Sequence, residues 1–544
     1  MNYGFVIDNR KCIGCHACTV ACKSEHEVPI GVNRTWVKYI EKGTFPDTRR
    51  LFSVMRCNHC ADAPCVEICP VSALFTRKDG IVDFDDRRCI GCKACTQACP
   101  YDAIYMHPDD HTSAKCNYCT HRVDIGLEPA CVNVCPEHAI VSGDMDNPMS
   151  EISQLLARET VSVRKPEKGT NPKLFYIDGD KASLDPAATH PDSDYMWSSQ
   201  SSGVGHFAGR NAYTPVPITR NADAPVRNEG EARTSSVQIT HLKSNDLRRE
   251  AALRTGASAF RRVYDAPGKG VLWGWEVSAY VWTKAIAAGA FIVPVTASFF
   301  TGVPPKVKLI GAIIALGFLA ITGGLLTKDL GRPERFLYVL LRPQWNSWLT
   351  RGGYIITVYG GLLTAWLAAN YVAWQSALSV IEPLGVVFAL LTAVYTAFLF
   401  AQAKGRDFWQ SPMLAVHMAL HSLIAGGAAF IIALPFLGTR IALSASFLTT
   451  MITVMIGVNL ITIALELWTS HATSDATTVA KSITSGRFSN AFWFGVILTG
   501  NILPLMALFL GPAAAAAPAS VLILVGLYIG EHIWVQAPQT VPLS

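Results

Sequence analysis

The chain has 544 residues, half of them hydrophobic, with 46 basic and 41 acidic side chains and a net charge of +5. That length exceeds one ordinary core and implies at least two domains. No dense basic stripe marks a soluble segment, which argues against a nucleic-acid binder, and no cysteine follows position 135, which argues against a disulfide scaffold spread along the chain.

The chain opens with MNYGFVIDNRKC, which has neither an apolar signal stretch nor a twin arginine. A reducing compartment is therefore expected, with the cysteines as metal ligands. All 16 cysteines fall into four groups. The first is Cys12, Cys15, Cys18 and Cys22. The second is Cys57, Cys60, Cys65 and Cys69, followed by Pro70. The third is Cys89, Cys92, Cys95 and Cys99, followed by Pro100. The fourth is Cys116, Cys119, Cys131 and Cys135, followed by Pro136. The first and third match the ferredoxin run C-x2-C-x2-C-x3-C. Three cysteines two residues apart let one loop wrap a cubane, while the fourth faces away and reaches a neighbouring cluster. Groups should then work in pairs, and sixteen thiolates make four [4Fe–4S] clusters. Zinc ribbons also use C-x2-C pairs, but they do not need the closing C-x3-C run and its proline. Gly14, Ala17, Gly91 and Ala94, between the ligands, permit tight turns and let backbone N–H groups approach sulfur. Several clusters in one small domain suggest a wire rather than a substrate site.

Residues 3–180 resemble the four-cluster iron–sulfur subunit of the complex molybdenum enzymes, such as dimethyl sulfoxide reductase and polysulfide reductase. CNHCADAPCVEICP (57–70), CNYCTHRVDIGLEPACVNVCP (116–136) and VRKPEKGTNPKLFYI (163–177) carry the resemblance. It implies one cluster on Cys12, Cys15, Cys18 and Cys135, and its neighbour on Cys116, Cys119, Cys131 and Cys22. It implies a third on Cys57, Cys60, Cys65 and Cys99, and a fourth on Cys89, Cys92, Cys95 and Cys69.

Residues 181–250 are rich in Ser, Pro, Asn, Asp and Gly and lack apolar periodicity, so a linker or strap is expected there. From Trp273 onward, apolar stretches long enough to span a bilayer recur. Eight are read, at about 274–298, 308–327, 352–374, 380–402, 412–435, 445–470, 490–510 and 518–537. Basic residues concentrate before the first helix and after the second, fourth and sixth. The opposite loops carry Lys306, Lys308 and Arg440. Positive loops stay inside, so the cysteine domain is expected on the cytoplasmic side of an inner (cytoplasmic) membrane. Trp273, Trp275, Trp345, Trp348, Trp409, Trp468, Trp493 and Trp534 fall near that face as an interfacial belt.

Ionisable groups inside a membrane point to function. Glu276, Tyr280 and Lys284 recur every four residues and share one helix face, supplying a carboxylate, a phenol and an amine that suit a quinone site. Tyr395 and Gln402 on the fourth helix would complete that pocket. His417 and His421 lie on one face of the fifth helix, a poor arrangement for haem; no haem is expected. They suit a proton path or packing. Asn459 and Glu466 share a face of the sixth helix, as a polar path or as interhelical bonding.

The loop DLGRPERFLYVLLRPQWNSWLTRGGY (329–354) is similar to the eight-helix NrfD-type anchor of polysulfide reductase, a likeness extending over about 265–540. The resemblance implies a quinone bound in the first four-helix bundle, beside the nearest cluster, and no haem. The family's electron-transfer domain is extracytoplasmic in polysulfide reductase, whereas the charge bias here favours the cytoplasm. Relatives usually carry the two halves as separate chains.

The expected architecture is an α+β double-ferredoxin-like [4Fe–4S] domain (1–180), a linker or strap (181–270) and an all-α domain of eight transmembrane helices in two four-helix bundles (271–544). The expected function is the electron-transfer and quinone-reactive anchor subunit of a molybdenum or tungsten (molybdopterin) oxidoreductase. Its expected partners are a molybdopterin catalytic subunit, the lipid bilayer, and menaquinone or ubiquinone. A redox-driven proton or ion translocator, with His417, His421 and Glu466 as its path, is the alternative. Substrate and direction of electron flow stay open.

Overall fold

The computed structural model describes residues 1–44, 46–189, 260–266, 268–299, 303–433, 442–510 and 515–544. The central part of the expected strap, residues 190–259, lies outside the described residues. So does the expected end of the fifth helix beyond residue 433.

The cysteine half is built of short elements, because closely spaced thiols leave little room for long ones. In chain order they are β1 (Tyr3–Asp8), α1 (Ala17–Glu25), β2 (Thr35–Thr44), β3 (Asp47–Arg56), α2 (Pro64–Ile68), β4 (Leu74–Thr76), β5 (Val82–Phe84), α3 (Ala94–Ala98), β6 (Ile104–Met106) and β7 (Ser113–Lys115). There follow α4 (Thr120–Val123), α5 (Ala130–Asn133), β8 (Ile140–Asp144), α6 (Glu151–Arg158), β9 (Val161–Ser162), β10 (Leu174–Ile177), α7 (Lys181–Leu184) and β11 (Phe260–Tyr264). One sheet has the order β8-β1-β10-β9, with β1 and β10 parallel. A second has the order β11-β2-β3, and two hairpins, β4-β5 and β6-β7, complete the set.

The first and third cysteine groups share one turn. Gly14 and Gly91 have φ of 72° and 71°, and His16 and Lys93, which precede α1 and α3, have φ of 60° and 61°. A left-handed glycine followed by a left-handed cap folds the C-x2-C-x2-C loop back on itself, so that its thiols converge.

Both ends of the expected strap are ordered parts of the cysteine half. β11 adds to β2. Its segment is held by buried polar contacts: the Trp36 indole donates to Asp265 at 2.8 Å, and Arg262 pairs with Asp265 at 3.3 Å.

Among the described residues, the membrane half contains eight helices long and apolar enough to cross a bilayer: Trp275–Ala297, Pro305–Lys328, Trp348–Tyr371, Gln375–Gln402, Met413–Ala433, Phe447–Trp468, Ala491–Phe509 and Ala516–Thr540. The protein is an integral membrane protein. The third helix starts earlier than its hydropathy suggests. Its first backbone N–H, at Trp348, is satisfied by Gln402 at 2.9 Å, which lets charged Arg351 lie within the helix. The first and fifth helices are the most enclosed. They meet where Gly289 faces Ser422 and Gly426; a Cβ on Gly289 would lie 1.8 Å from the Ser422 carbonyl oxygen. Small residues allow this close approach in lipid, and it joins the two helix bundles. The seventh helix begins as a π-helix over Ala491–Ile502.

The two halves share one apolar core. It runs from Cys57, Cys69, Cys89, Cys95 and Cys99 through Trp273, Tyr280, Phe400 and Trp409. Polar contacts fix the register. Gly331 and Arg332 donate their backbone N–H groups to the carbonyls of Gly91 and Ile90, both at 3.1 Å. Arg335 donates to the Cys89 carbonyl at 2.9 Å, and the Trp273 indole to the Cys92 carbonyl at 3.1 Å. Thr350 donates to the Pro70 carbonyl at 3.0 Å, and Ser347 to that of Ile68 at 2.7 Å. Lys93 pairs with Asp329 at 2.9 Å.

Asp329 gives this interface a pH dependence. Burial lifts its carboxyl from 3.8 to about 6, against the opposing pull of Lys93. A raised folded-state value favours the protonated fold, so this group's stabilisation is complete at low pH and is lost as pH rises through about 6. Above that pH the buried carboxylate needs Lys93. Lys93→Met is expected to cost roughly 3 kcal/mol at pH 7.5, with the loss of thermal stability shrinking as the pH is lowered to 5.5. An equal loss at both pH values would contradict this.

Candidate electron-transfer site

Burial gathers the cysteines into sets of four. Cys12, Cys15, Cys18 and Cys135 line one cavity. Cys69, Cys89, Cys92 and Cys95 line another, beneath the contact with the membrane half. Cys57, Cys60, Cys65 and Cys99 act on one another electrostatically, as Cys22 does with Cys116, Cys119 and Cys131. No disulfide links any of the sixteen. Burial pushes the Cys18, Cys60 and Cys119 thiols up to about 12. Such thiols give up their protons only to a cation held among them.

The surroundings suit iron–sulfur cubanes. Backbone N–H groups point at sulfur, from Ala73 to Cys69 at 3.2 Å, from Gly91 and Ser113 to Cys89 at 3.4 Å, and from Ala139 to Cys135 at 3.3 Å. Nε2 of His26 lies 3.1 Å from Cys119 Sγ, and burial lowers this imidazole to about 4, so it is neutral. Arg56 is fully buried over the Phe5 ring and donates to Cys131 Sγ at 3.1 Å. Its Nε and Nη2 are buried without a partner. An arginine stays charged in any protein. Orphaned donors beside thiols are what an anionic sulfide cage requires. The sequence reading missed Arg56, because nothing in "VMRCNHC" distinguishes a buried arginine from an exposed one.

On the membrane side, Tyr280, Lys284 and Tyr395 come together. Lys284 is 1% exposed, donates to Thr396 at 2.5 Å and stacks over the Tyr395 ring at 4.5 Å. Tyr280 also approaches Thr396 and Tyr395. Glu276 remains half-buried at the start of the helix, within electrostatic reach of Asp329 and Tyr528. Lys284, two turns deeper, is engaged by Thr396 and the Tyr395 ring. Gln402, expected to complete the pocket, instead caps the third helix and donates to the Asn346 carbonyl at 2.7 Å.

His417 and His421 each meet a carboxylate. His417 Nδ1 lies 2.9 Å from Glu466, and His421 Nδ1 lies 2.7 Å from Glu531. His421 Nε2 lies 3.2 Å from Asn459, whose amide donates to Asn501 at 3.1 Å. His417, His421 and Glu531 are placed closely enough to share an ion. The sequence reading noted Glu466 and Asn459 but missed Glu531, a single acid in the apolar last helix. An isolated carboxylate in an apolar span was itself the available signal.

Comparisons with known proteins agree with this division. Two matches to the 4Fe-4S dicluster domain cover residues 11–74 and 48–145. The family described as polysulphide reductase, NrfD matches residues 266–540. The cysteine half is 43% identical over 188 residues to a subunit of the tetrathionate reductase of Salmonella typhimurium, an alignment covering 34% of this chain and 75% of that protein. It is 40% identical over 188 residues to a component of the polysulfide reductase of Wolinella succinogenes, covering 34% of this chain and 97% of that protein. It is 36% identical over 227 residues to the arsenate respiratory reductase iron-sulfur subunit ArrB of a Shewanella species, covering 32% of this chain and 96% of that protein. Through its membrane half the protein belongs to the polysulphide reductase NrfD family, and that half is joined in a single polypeptide to a 4Fe-4S dicluster half of the reductase iron–sulfur type.

Proposed function

We propose that the protein relays electrons between a separate molybdopterin (molybdenum or tungsten) catalytic subunit and the membrane quinone pool. The sixteen cysteines hold four [4Fe–4S] clusters in the four sets described above, and the clusters supply one-electron relay. The observation that carries this reading is the shared apolar core between the Cys69, Cys89 and Cys95 thiols and Tyr280. The Cys89–Cys92 turn is pinned to the membrane half from three directions, by Gly331, Arg335 and Trp273. An electron at that cage is therefore held next to the first membrane helix.

The quinone site lies around Tyr280, Lys284 and Tyr395. Lys284 and Tyr280 offer a proton-bearing amine and a phenol to quinone oxygens, and Thr396 orients Lys284. Glu276 lies at the mouth of this site, beside Asp329 on the cluster-facing side. The names of the relatives, as parts of tetrathionate, polysulfide and arsenate reductases, support a catalytic partner for the cysteine half. The loop charge bias supports a cytoplasmic position for that half.

Three outcomes are expected. Intact protein carries about sixteen irons per chain, and Lys284→Met loses at least tenfold in quinone reduction while its clusters are still reduced by dithionite. Unchanged quinone kinetics would reject the site. Arg56→Gln keeps its iron content, but the reduction potential of one cluster falls, because a buried positive charge beside Cys131 stabilises the electron-rich form. Electron paramagnetic resonance during a redox titration reads this; four unmoved potentials would refute it.

A further inference from the structure

We infer that the imidazole–carboxylate cluster of the second bundle is a one-sided proton entry path, opening on the cluster-facing surface and ending at Lys284. This rests on the quinone site proposed above. Reducing a quinone to a quinol takes two electrons, supplied through the clusters by the catalytic partner's donor, and two protons. The path draws those protons from the side that holds the cysteine half.

The groups are His417, His421, Glu466, Glu531 and Lys284, each no more than 5% exposed. Ionisable side chains inside a bilayer are costly and rarely kept without use. Simple interhelical bonding would satisfy every polar atom, yet Glu466 Oε1 is buried with no partner. Its other oxygen is engaged by His417 and by the Trp534 indole at 3.1 Å. The open oxygen lies two residues before Trp468, where the sixth helix ends on the cluster-facing side. That side is fixed by the next helix, Ser474–Thr484, whose Asp475 faces Lys165 of the cysteine half at 4.0 Å. From Glu466 the groups run to His417, and ligand atoms of His417, His421 and Glu531 lie within 4.8 Å of one another. They continue to Glu531 and, within electrostatic reach, to Lys284.

Depth agrees with one-sided entry. His421 lies eight residues into the fifth helix and Lys284 nine into the first, about 12 and 14 Å at 1.5 Å per residue. The hydrocarbon core is about 30 Å thick, so the path stops near the midplane.

The amide branch shows why it stops. Asn501 Nδ2 donates to the Val496 carbonyl at 2.8 Å, an i−5 contact of the kind a π-helix provides. Asn501 Oδ1 therefore accepts from Asn459 Nδ2, and Asn459 Oδ1 must accept from His421 Nε2–H. With Nε2 committed as a donor, the mobile proton of His421 lies on the Nδ1···Oε1 contact with Glu531. The branch toward the far half consists of two amides and a peptide carbonyl, none of which takes up or gives up a proton at ordinary pH. Protons reach Lys284 from one side and leave by no other along this route.

The full chain in liposomes, with the cysteine half outward, tests this directly. Reduced benzyl viologen is added outside, a short-chain quinone is the acceptor, and entrapped pyranine and an oxonol dye report internal pH and membrane potential. Quinone reduction is expected with no internal alkalinisation and no potential; either signal would overturn one-sided entry. Glu466→Gln and Glu531→Gln are expected to slow turnover at least tenfold, with KM for quinone, iron content and dithionite reduction of the clusters unchanged. Glu466→Asp should restore part of the rate. Full turnover in both Gln variants would overturn the path. The liposome measurement needs no variant, so a misfolded mutant does not protect the idea. If the wild-type protein reduces its clusters but no quinone, the quinone site itself falls and the path with it; quinone reduction with a dye response sinks only the path.

Discussion

The contact between Gly91 and Gly331 is the constraint on which the rest depends. Two backbone hydrogen bonds run from the loop after the second membrane helix to the turn that carries Cys89 and Cys92. A Cβ on Gly91 would lie 2.7 Å from the Gly331 Cα, and one on Gly331 would lie 2.5 Å from the His111 carbonyl oxygen. No side chain fits on either residue. Peptide-to-peptide contact of this kind does not slide, so the cysteine cage and the first membrane helix keep a fixed separation. Electron transfer depends steeply on distance, and here distance is set by backbone rather than by side chains that change rotamer.

Around that contact the chemistry divides by element. Short helices capped in left-handed conformation turn four thiols inward. Buried cations, Arg56 above all, balance the negative charge that iron and sulfide would bring. Across the seam, Trp273, Phe400 and Trp409 form an aromatic triad with ring centroids 4.7 to 5.6 Å apart. The triad belongs to the same buried apolar core as the cage and Tyr280. The fusion of the halves into a single polypeptide adds covalent linkage to an interface that is already apolar and hydrogen-bonded.

Much of this was legible in the sequence, for definite reasons. The cysteine spacings are local, so the clusters follow from "CIGCHAC" and "CIGCKAC". The eight spans follow from hydropathy, because lipid imposes a minimum apolar length on every helix that crosses it. The loop "DLGRPERF" was legible as a resemblance, but its purpose was not: that Gly331 and Arg335 grip the Cys89 turn is a contact between residues far apart in sequence. The same limit explains the polar sites. Helical spacing put Glu276, Tyr280 and Lys284 on one face, yet it could not see that Thr396 and Tyr395 take Lys284 while Glu276 stays at the helix mouth. His417 and His421 were visible as a pair, whereas their carboxylates come from two other helices, and Glu531 was hidden in an apolar run. Gln402 has the right depth for a pocket residue, but a helix N-terminus next to it needed an acceptor.

The central claim is that the cage of Cys69, Cys89, Cys92 and Cys95 is the last station before the membrane carrier. The most direct measurement is an electron paramagnetic resonance titration of the intact protein with and without a tight-binding quinone-site inhibitor. Inhibitor binding should alter the line shape or potential of a single cluster signal, and Cys92→Ser should remove that same signal. If the inhibitor instead perturbs the signal lost in Cys12→Ser, or perturbs none, the wire does not end at that cage.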